Sequence, residues 1–187
     1  MHRKKSLFFA LILLSLLGAC NKQIKPSELV PGIELGQFYY TQFSLFQEQN
    51  NFRTTNYRRG FLIPVNTRVS LVSISSKKAE LKLADSGQPL TIENVPKHTN
   101  EDMQTAFKKI VGPRKVDIDT FSKAEQESIL TGKVKKGMGR KAVLVAIGYP
   151  PQIETPSLDS NDWTYWSSRF NKFIVHFKNG KVDNIVD

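Results

Sequence analysis

The sequence predicts an α+β fold of two units, a β-rich unit followed by two helices and a three-stranded antiparallel sheet. Short apolar runs alternate with turn residues between residues 34 and 95, which is typical of a small barrel or a strongly bent sheet. Two segments with helical start and stop signals follow residue 117. Three β segments come last, and Asn179-Gly180 joins the final two with the strongest hairpin signal in the chain.

The N-terminus has the pattern of a lipoprotein leader. Basic residues 3–5 precede an uncharged apolar run over 7–17, which is too short to span a bilayer. The only cysteine, Cys20, directly follows Gly18-Ala19, as in a bacterial lipobox. We therefore expect a signal peptide over 1–19 and lipid attachment at Cys20. The alternative is an ordinary signal peptide with a chance cysteine at its cleavage site.

Composition narrows the function classes. The 187 residues suffice for one ordinary domain or two small ones. Lipidation of Cys20 would leave no thiol, which excludes disulfides, thiolate metal sites and a cysteine nucleophile. The net charge is +10, and it falls only to about +7 when the predicted leader is removed. In a membrane-anchored protein, a positive charge of this size favours anionic lipid headgroups or an acidic protein as the binding partner, rather than nucleic acid. By analogy with enteric sorting, Asn21 favours the outer membrane, with the protein facing the periplasm.

Residues 20–33 are polar and contain two prolines, which predicts a flexible tether; a first strand packed on the domain is the alternative. The β-rich unit then covers 34–115. Its stretch 60–67 loosely resembles the strand entry of Src-homology-3-type barrels. An amphipathic helix ends the unit, with Thr99 as the expected N-cap, Asp102 reaching back to it, and an apolar stripe from Met103 to Val111.

The second unit covers 117–187. Ser122 and Glu125 form a capping box for a helix that should turn Ile129 and Leu130 inward and end at Gly132. The apolar run 140–147 predicts a buried helix, because it follows a glycine-rich turn and ends before Gly148-Tyr149-Pro150. Three strands of a meander complete the unit.

The pattern of turns and aromatic residues in this unit resembles the BamE (SmpA/OmlA) family of outer-membrane lipoproteins over about residues 120–187. The residues that carry the resemblance are Gly132, Gly137, Met138, Gly148, Pro150, Trp163, Tyr165, Asn179 and Gly180. The resemblance implies two helices packed on a three-stranded antiparallel sheet, with most of these residues structural. Two features depart from the family pattern: Gly139 replaces the usual capping threonine, and the β-rich unit is additional.

The resemblance also implies a function. Family members are non-enzymatic accessory subunits of the machinery that inserts β-barrel proteins into the outer membrane. They contact the barrel subunit and a helical-repeat lipoprotein, and they associate with phosphatidylglycerol. In this sequence, the candidate for such a contact with a partner or an anionic lipid is a basic turn. The alternative is that this turn is an ordinary solvated surface. This basic turn consists of Lys133, Lys135, Lys136, Arg140 and Lys141.

No catalytic pattern is recognisable in the sequence. It contains no histidine pair at metal spacing, no nucleophile elbow and no phosphate-binding glycine loop. Trp163, Tyr165 and Trp166 suit a sugar-stacking platform, but core packing explains them more simply. We therefore expect no enzyme, cofactor or metal. The alternative to a scaffold is an envelope protein that binds a ligand or peptidoglycan through its β-rich unit.

Overall fold

A computed structural model describes residues 21–187 and has an α+β fold with a mixed sheet, a three-stranded antiparallel sheet and a two-stranded ribbon. The predicted signal peptide and the predicted lipid-attachment residue Cys20 lie outside the described residues. The strands are β1 Phe38–Thr41, β2 Leu45–Gln47, β3 Asn51–Arg53, β4 Phe61–Ile63, β5 Arg68–Ile74, β6 Lys78–Leu83, β7 Pro89–Glu93, β8 Val111–Gly112, β9 Asp162–Trp166, β10 Lys172–Lys178 and β11 Lys181–Val186. The helices are α1 Pro96–Thr99, α2 Met103–Ile110, α3 Lys123–Leu130 and α4 Arg140–Ile147.

The mixed sheet has six strands in the order β3-β7-β6-β5-β1-β8. Its pairings are antiparallel except for β3 with β7. Alternate residues of β5 and β6 are buried, as their apolar alternation predicts, and α2 covers this inner face. The edge of Tyr39 in β1 meets the ring of Phe107 in α2 with centroids 5.2 Å apart. The apolar stripe predicted for α2 therefore closes the core of the first unit.

The segment predicted to be a tether packs against the first unit from Lys22 onward, so the alternative of a packed first strand describes it better. Gln23 forms an isolated antiparallel bridge with Ser75, and the Ile24 N–H donates to Ile74 O. Ile33 is 3% exposed. The apolar residues of this segment recur every few positions and join the core of the first unit. The free energy gained by burying them outweighs the polar composition that suggested a tether.

The start of the helix over 103–110 corrects a second prediction. Its N-cap is Asp102, whose Oδ1 accepts a hydrogen bond from the Thr105 N–H at 2.7 Å. Thr99 instead ends the short helix α1, which begins at Pro96. Asn100 follows with a left-handed φ of 55°, so the chain turns before α2 begins. Asp102 is thus the cap itself and not the residue that reaches back to it.

The second unit has the predicted order of two helices followed by a three-stranded antiparallel sheet, β11-β10-β9. Ser122 and Glu125 form the predicted capping box of α3. Ile129 is completely buried, but Leu130 is 45% exposed, so the prediction that both point inward is wrong for Leu130. The side chains of adjacent helical residues point in directions about 100° apart. Leu130 is the last residue of α3, so its side chain can face away from the core that holds Ile129.

Candidate functional site

The basic turn keeps exposed lysines on its surface. Lys133, Lys135 and Lys136 are all exposed. Lys135 Nζ lies 3.3 Å from Glu127 Oε1 and Lys136 Nζ lies 3.4 Å from Asp183 Oδ1. Exposed ion pairs of this kind are worth only about 0–1 kcal/mol, so a stronger anionic partner can displace them.

Arg140 has a different role from the one the sequence predicts, because its guanidinium holds a loop in place. Its Nη1 donates to Leu158 O at 2.9 Å and to Ser160 O at 2.6 Å, and its Nη2 donates to Asn161 Oδ1 at 2.8 Å. The guanidinium carbon also lies 4.4 Å from the Phe177 ring centroid. These contacts direct guanidinium N–H groups to acceptors within the protein, so Arg140 is not part of the candidate binding surface.

Lys141 is exposed on the first turn of α4. Its Nζ lies 5.6 Å from the Phe121 ring centroid, within the range of a weak cation–π contact. It therefore extends the surface of the basic turn, but Arg140 beside it does not.

The glycines of the family-like pattern lie where the backbone needs them. Gly148 ends α4 with φ 75° and ψ −168°, and a Cβ there would lie 2.6 Å from Phe43. Gly132 has φ 62°, and a Cβ would lie 2.8 Å from Leu62. Gly137 has φ 90° in open space. Two of the three glycines therefore allow a close approach between the units, and the third only makes a turn.

The other residues of the pattern are structural. Trp163 and Tyr165 are at most 1% exposed, which favours core packing over a sugar-stacking platform. The Tyr165 hydroxyl donates to Gly148 O at 3.0 Å, and burial raises the pKa of Tyr165 well above its usual value. Met138 and Pro150 are also buried. Asn179 and Gly180 both have positive φ, as a type I′ hairpin requires.

Glu125 satisfies one backbone donor at the start of α4. Gly139 is the N-cap of α4 and has no side chain to satisfy the helix start. Glu125 Oε1, from α3, accepts a hydrogen bond from the Gly139 N–H at 2.9 Å. This bond is the largest of the effects that lower the pKa of Glu125, and hydrogen bonds from Ser122 add to it. A carboxylate on one helix thus fixes the start of the other.

A polar bridge between the two units is the main feature that the sequence did not reveal. We define the polar bridge as Ser44, Asn56 and Arg58, which reach backbone carbonyls at the ends of α3 and α4. Ser44 Oγ donates to Ile129 O at 2.6 Å. Asn56 Nδ2 donates to Ile147 O at 2.6 Å. Helix C-termini leave carbonyls without partners inside the helix, so side chains of the first unit complete the second.

Arg58 is the charged member of the polar bridge. Its Nη2 donates to Gly132 O at 2.7 Å, and its guanidinium carbon lies 4.4 Å from the Phe46 ring centroid. Burial lowers the pKa of Arg58 to about 10, so it remains protonated at neutral pH. A cation beside helix C-termini complements their partial negative charge.

Two segments near the polar bridge expose large aromatic side chains, one at the start of β4 and one in the loop between β9 and β10. Phe61 is 76% exposed and Phe170 is 83% exposed. A hydrogen bond from the Arg58 N–H to Ser167 O at 3.2 Å joins the two segments. Arg59 and Arg169 are their exposed basic neighbours. We call Arg59, Phe61, Arg169 and Phe170 the aromatic–basic surface; aromatic residues and arginine are enriched at protein interfaces.

A cleft of about 250 Å³ lies between the units. Buried Phe43, Phe52 and Ile110 contribute apolar lining from the first unit. The segment 149–158 supplies the second unit's share of the lining, including three prolines. Glu101 and Lys109 form an ion pair among the lining residues.

Within residues 21–187, no group of three or more His, Cys, Asp or Glu side chains is placed so that it could hold a metal ion. Burial lowers the pKa of His98, which packs edge-on against Trp166 with ring centroids 6.3 Å apart. His176 Nδ1 pairs with Asp162 Oδ1 at 2.6 Å. Over the same residues, no helix has the length and apolar character needed to cross a bilayer.

Comparison of the chain with known protein families, with curated proteins and with solved structures finds no match. A function for this chain therefore has to be inferred from its sequence, its fold and these sites.

Proposed function

We propose that this chain is a lipid-anchored, non-enzymatic accessory subunit of the machinery that assembles β-barrel proteins in the bacterial outer membrane. It would be attached through Cys20 and face the periplasm. By the family resemblance, its partners would be the barrel subunit and a helical-repeat lipoprotein. The BamE-like identity of residues 120–187 and the barrel likeness of the first unit are parts of this proposal.

The observation that carries the proposal is the agreement between the family-like pattern and the second unit. Its glycines lie at turns and a helix end, its Trp-x-Tyr pair lies in the core, and Asn179-Gly180 closes the last hairpin. The lipobox in the sequence supports the proposal independently.

The aromatic–basic surface is the candidate contact with a protein partner. Exposed aromatic side chains beside arginines are enriched at the centres of protein interfaces. This surface also includes Phe61, from the additional first unit. A partner bound here would therefore contact both units.

Affinity purification from detergent-solubilised membranes tests the proposal. We expect the full-length chain to recover barrel-assembly subunits. A double variant, Phe61→Ser with Phe170→Ser, should lose them. The matched control, Val72→Ser with Ile153→Ser, removes apolar residues that are 45% and 54% exposed elsewhere and should retain them. Failure of the wild-type chain to recover any barrel-assembly subunit refutes the proposal.

The basic turn is the candidate contact with anionic headgroups. Each lysine near an anionic surface contributes about 1 kcal/mol. Replacing Lys133, Lys135 and Lys136 by glutamate should therefore weaken binding to phosphatidylglycerol vesicles at least tenfold. The control replaces Lys77, Lys82 and Lys97, which are exposed on the first unit. Equal binding of both triple variants removes the basic turn from the proposal.

The second candidate function is an envelope protein whose β-rich unit binds a ligand or peptidoglycan. The cleft favours it, because Phe43, Phe52 and Ile110 of the first unit line the cleft. Co-sedimentation of the chain with purified sacculi tests the peptidoglycan form. Saturable co-sedimentation without recovery of barrel-assembly subunits would favour this function over the scaffold.

A further inference from the structure

The N-terminal segment of the described residues is fastened to the β5–β6 turn, residues 75–77. The Ser76 N–H donates to Lys22 O at 2.9 Å, and Gln23 forms its antiparallel bridge with Ser75 beside this bond. The ends of a chain are usually loose unless an extended segment ties them to a sheet, as these contacts do here. The first unit therefore cannot turn freely about its N-terminal segment.

The predicted lipid-attachment residue lies very close to this fastened segment along the chain. Only Asn21 separates Cys20 from Lys22. An extended chain spans at most about 3.6 Å per residue, so the Cα atoms of Cys20 and Lys22 are at most about 7 Å apart. When the hydrogen bond to Lys22 is added, Ser76 lies no more than about 15 Å from Cys20. A lipid on Cys20 would therefore hold the β5–β6 turn at the surface of the bilayer.

Exposed lysines surround the fastened turn. Lys22 and Lys25 belong to the N-terminal segment, and Lys78 begins β6 directly after the turn. All three are exposed, and no ion pair within residues 21–187 includes any of them. We call Lys22, Lys25 and Lys78 the anchor face. Its ammonium groups are available to an external anion.

Two carboxylates lie beside the anchor face, and both have other partners. Glu93 is opposite Lys78 in the sheet, but its Oε1 lies 3.2 Å from Arg53 Nη2. Glu28 Oε2 accepts a hydrogen bond from the backbone N–H of Lys25 at 3.3 Å. Neither carboxylate forms an ion pair with an anchor-face ammonium group, so the face keeps its positive charge.

We infer that the anchor face lies on the bilayer that holds the Cys20 lipid and binds anionic headgroups there. The inference rests on the lipid attachment that is part of the proposed function. Attraction to an anionic surface acts over about one Debye length, ~8 Å in physiological salt, and the short link keeps Lys22 within this range. A lipid chain and a basic patch together hold a protein on a bilayer more firmly than one chain alone. The end of the sheet that faces the bilayer is then the β5–β6 turn.

Fluorescent labels at the two ends of β6 test this orientation in the full-length lipidated chain. Lipidation blocks the sulfur of the only native cysteine, so Ser76→Cys or Ser86→Cys provides a single reactive thiol. Both serines are exposed, and Ser86 lies beyond the far end of the six-residue strand, roughly 20 Å from the turn. In phosphatidylglycerol vesicles with nitroxide-labelled headgroups, bimane at position 76 should lose most of its fluorescence and bimane at position 86 should lose little. Equal quenching at both positions refutes the orientation.

A longer link separates the effect of charge from that of the short connection. A flexible Gly-Ser insert of about ten residues between Asn21 and Lys22 leaves the lipidated residue and the fastened segment intact but lets the body move away from the bilayer. In this longer chain, bimane at position 76 should stay quenched on phosphatidylglycerol vesicles and lose its quenching on phosphatidylcholine vesicles. Loss of quenching on both kinds of vesicle refutes the contact with anionic headgroups.

Charge reversal within the longer chain tests the lysines themselves. The triple variant Lys22→Glu, Lys25→Glu and Lys78→Glu should lose the quenching at position 76 on phosphatidylglycerol vesicles. The matched control changes the net charge equally at three other exposed lysines and should keep the quenching. It consists of Lys115→Glu, Lys123→Glu and Lys178→Glu. Equal loss in both variants refutes the anchor face, because net charge alone would then explain the attraction.

Mass spectrometry of the purified chain distinguishes failure of this inference from failure of the proposed function. A Cys20 that carries no lipid refutes both the anchored scaffold and the anchor face. A lipidated chain that recovers barrel-assembly subunits, but is quenched equally at positions 76 and 86, refutes the anchor face alone. Lipidation with quenching confined to position 76 supports the anchor face whether or not those subunits are recovered.

Discussion

The contact between Gly148 and Phe43 makes the docking of the two units measurable. Substitution Gly148→Ala has two separate costs. First, φ 75° with ψ −168° is a conformation open almost only to glycine, and alanine there costs about 1–3 kcal/mol. Second, the new Cβ would lie 2.6–3.0 Å from three atoms of the Phe43 ring, and relieving such an overlap costs about 1–3 kcal/mol more. The total expected loss of unfolding free energy is therefore about 2–6 kcal/mol.

Urea denaturation monitored by far-ultraviolet circular dichroism measures this loss. The transition midpoint should fall while its slope stays unchanged. Gly180→Ala is the matched control, because Gly180 has φ 74° but open space around its Cβ position. It should lose only about 1–2 kcal/mol, the cost of a left-handed conformation.

A double-mutant cycle with Phe43→Leu separates the two costs. In that background the aromatic ring is gone, so Gly148→Ala should cost only its backbone strain. The cycle should give a coupling energy of at least about 1 kcal/mol. An equal cost in both backgrounds, or a cost no larger than that of Gly180→Ala, would refute the close approach of the two units.

Three further predictions concern other contacts. Ser44→Ala removes a buried hydroxyl that satisfies a carbonyl of α3, and it should lower the unfolding free energy by about 1–3 kcal/mol in thermal denaturation; a loss within error contradicts the polar bridge. The pKa of Glu125 is lower in the folded than in the unfolded chain, so its carboxylate stabilises the fold above its ordinary pKa of 4.5, and this contribution disappears as the pH falls through the lower folded value. Glu125→Gln should therefore destabilise the protein at pH 7 and show a smaller difference from the wild type at pH 3, and a difference independent of pH argues against the charged cap at Gly139. Arg140→Met should speed proteolytic cleavage within residues 157–161, whereas Lys133→Met should leave it unchanged; equal rates would show that Arg140 does not hold the loop.

The sequence predicts the features that depend on neighbouring residues. The capping box of Ser122 and Glu125 and the hairpin at Asn179-Gly180 both form between residues a few positions apart, and both are present. The buried Trp163 and Tyr165 follow from strand alternation and size. These elements can be predicted without knowledge of any tertiary contact, because the interactions that determine them are local.

Two errors arise where several local signals compete. Thr99 and Asp102 both suit an N-cap, and Pro96 decides between them by starting its own short helix. Leu130 continues an apolar pair, but α3 ends there and its side chain faces outward. A change of one to three residues in a helix boundary alters which side chain caps the helix in the first case and which side chain is buried in the second.

The polar bridge and the cleft could not be predicted from local patterns. Asn56 and Arg58 lie in an irregular segment, and the carbonyls that they reach are 74 to 93 positions away. No periodicity marks a side chain whose partner is so remote. Only the folded topology brings them together, and the same holds for the cleft between Phe43 and Tyr149.

The polar bridge also bears on how the gene for such a chain can be shortened or recombined. A cut near residue 116 separates two segments that look independent by sequence, yet it strips Ile129, Gly132 and Ile147 of the side chains that satisfy their carbonyls. Val65 would leave as well, although it packs in the core of the second unit. The excised segment 117–187 should therefore unfold at a lower temperature than the whole chain, and the intact protein should melt in a single cooperative step. Covalent order assigns these residues to two modules, but we expect them to unfold as one.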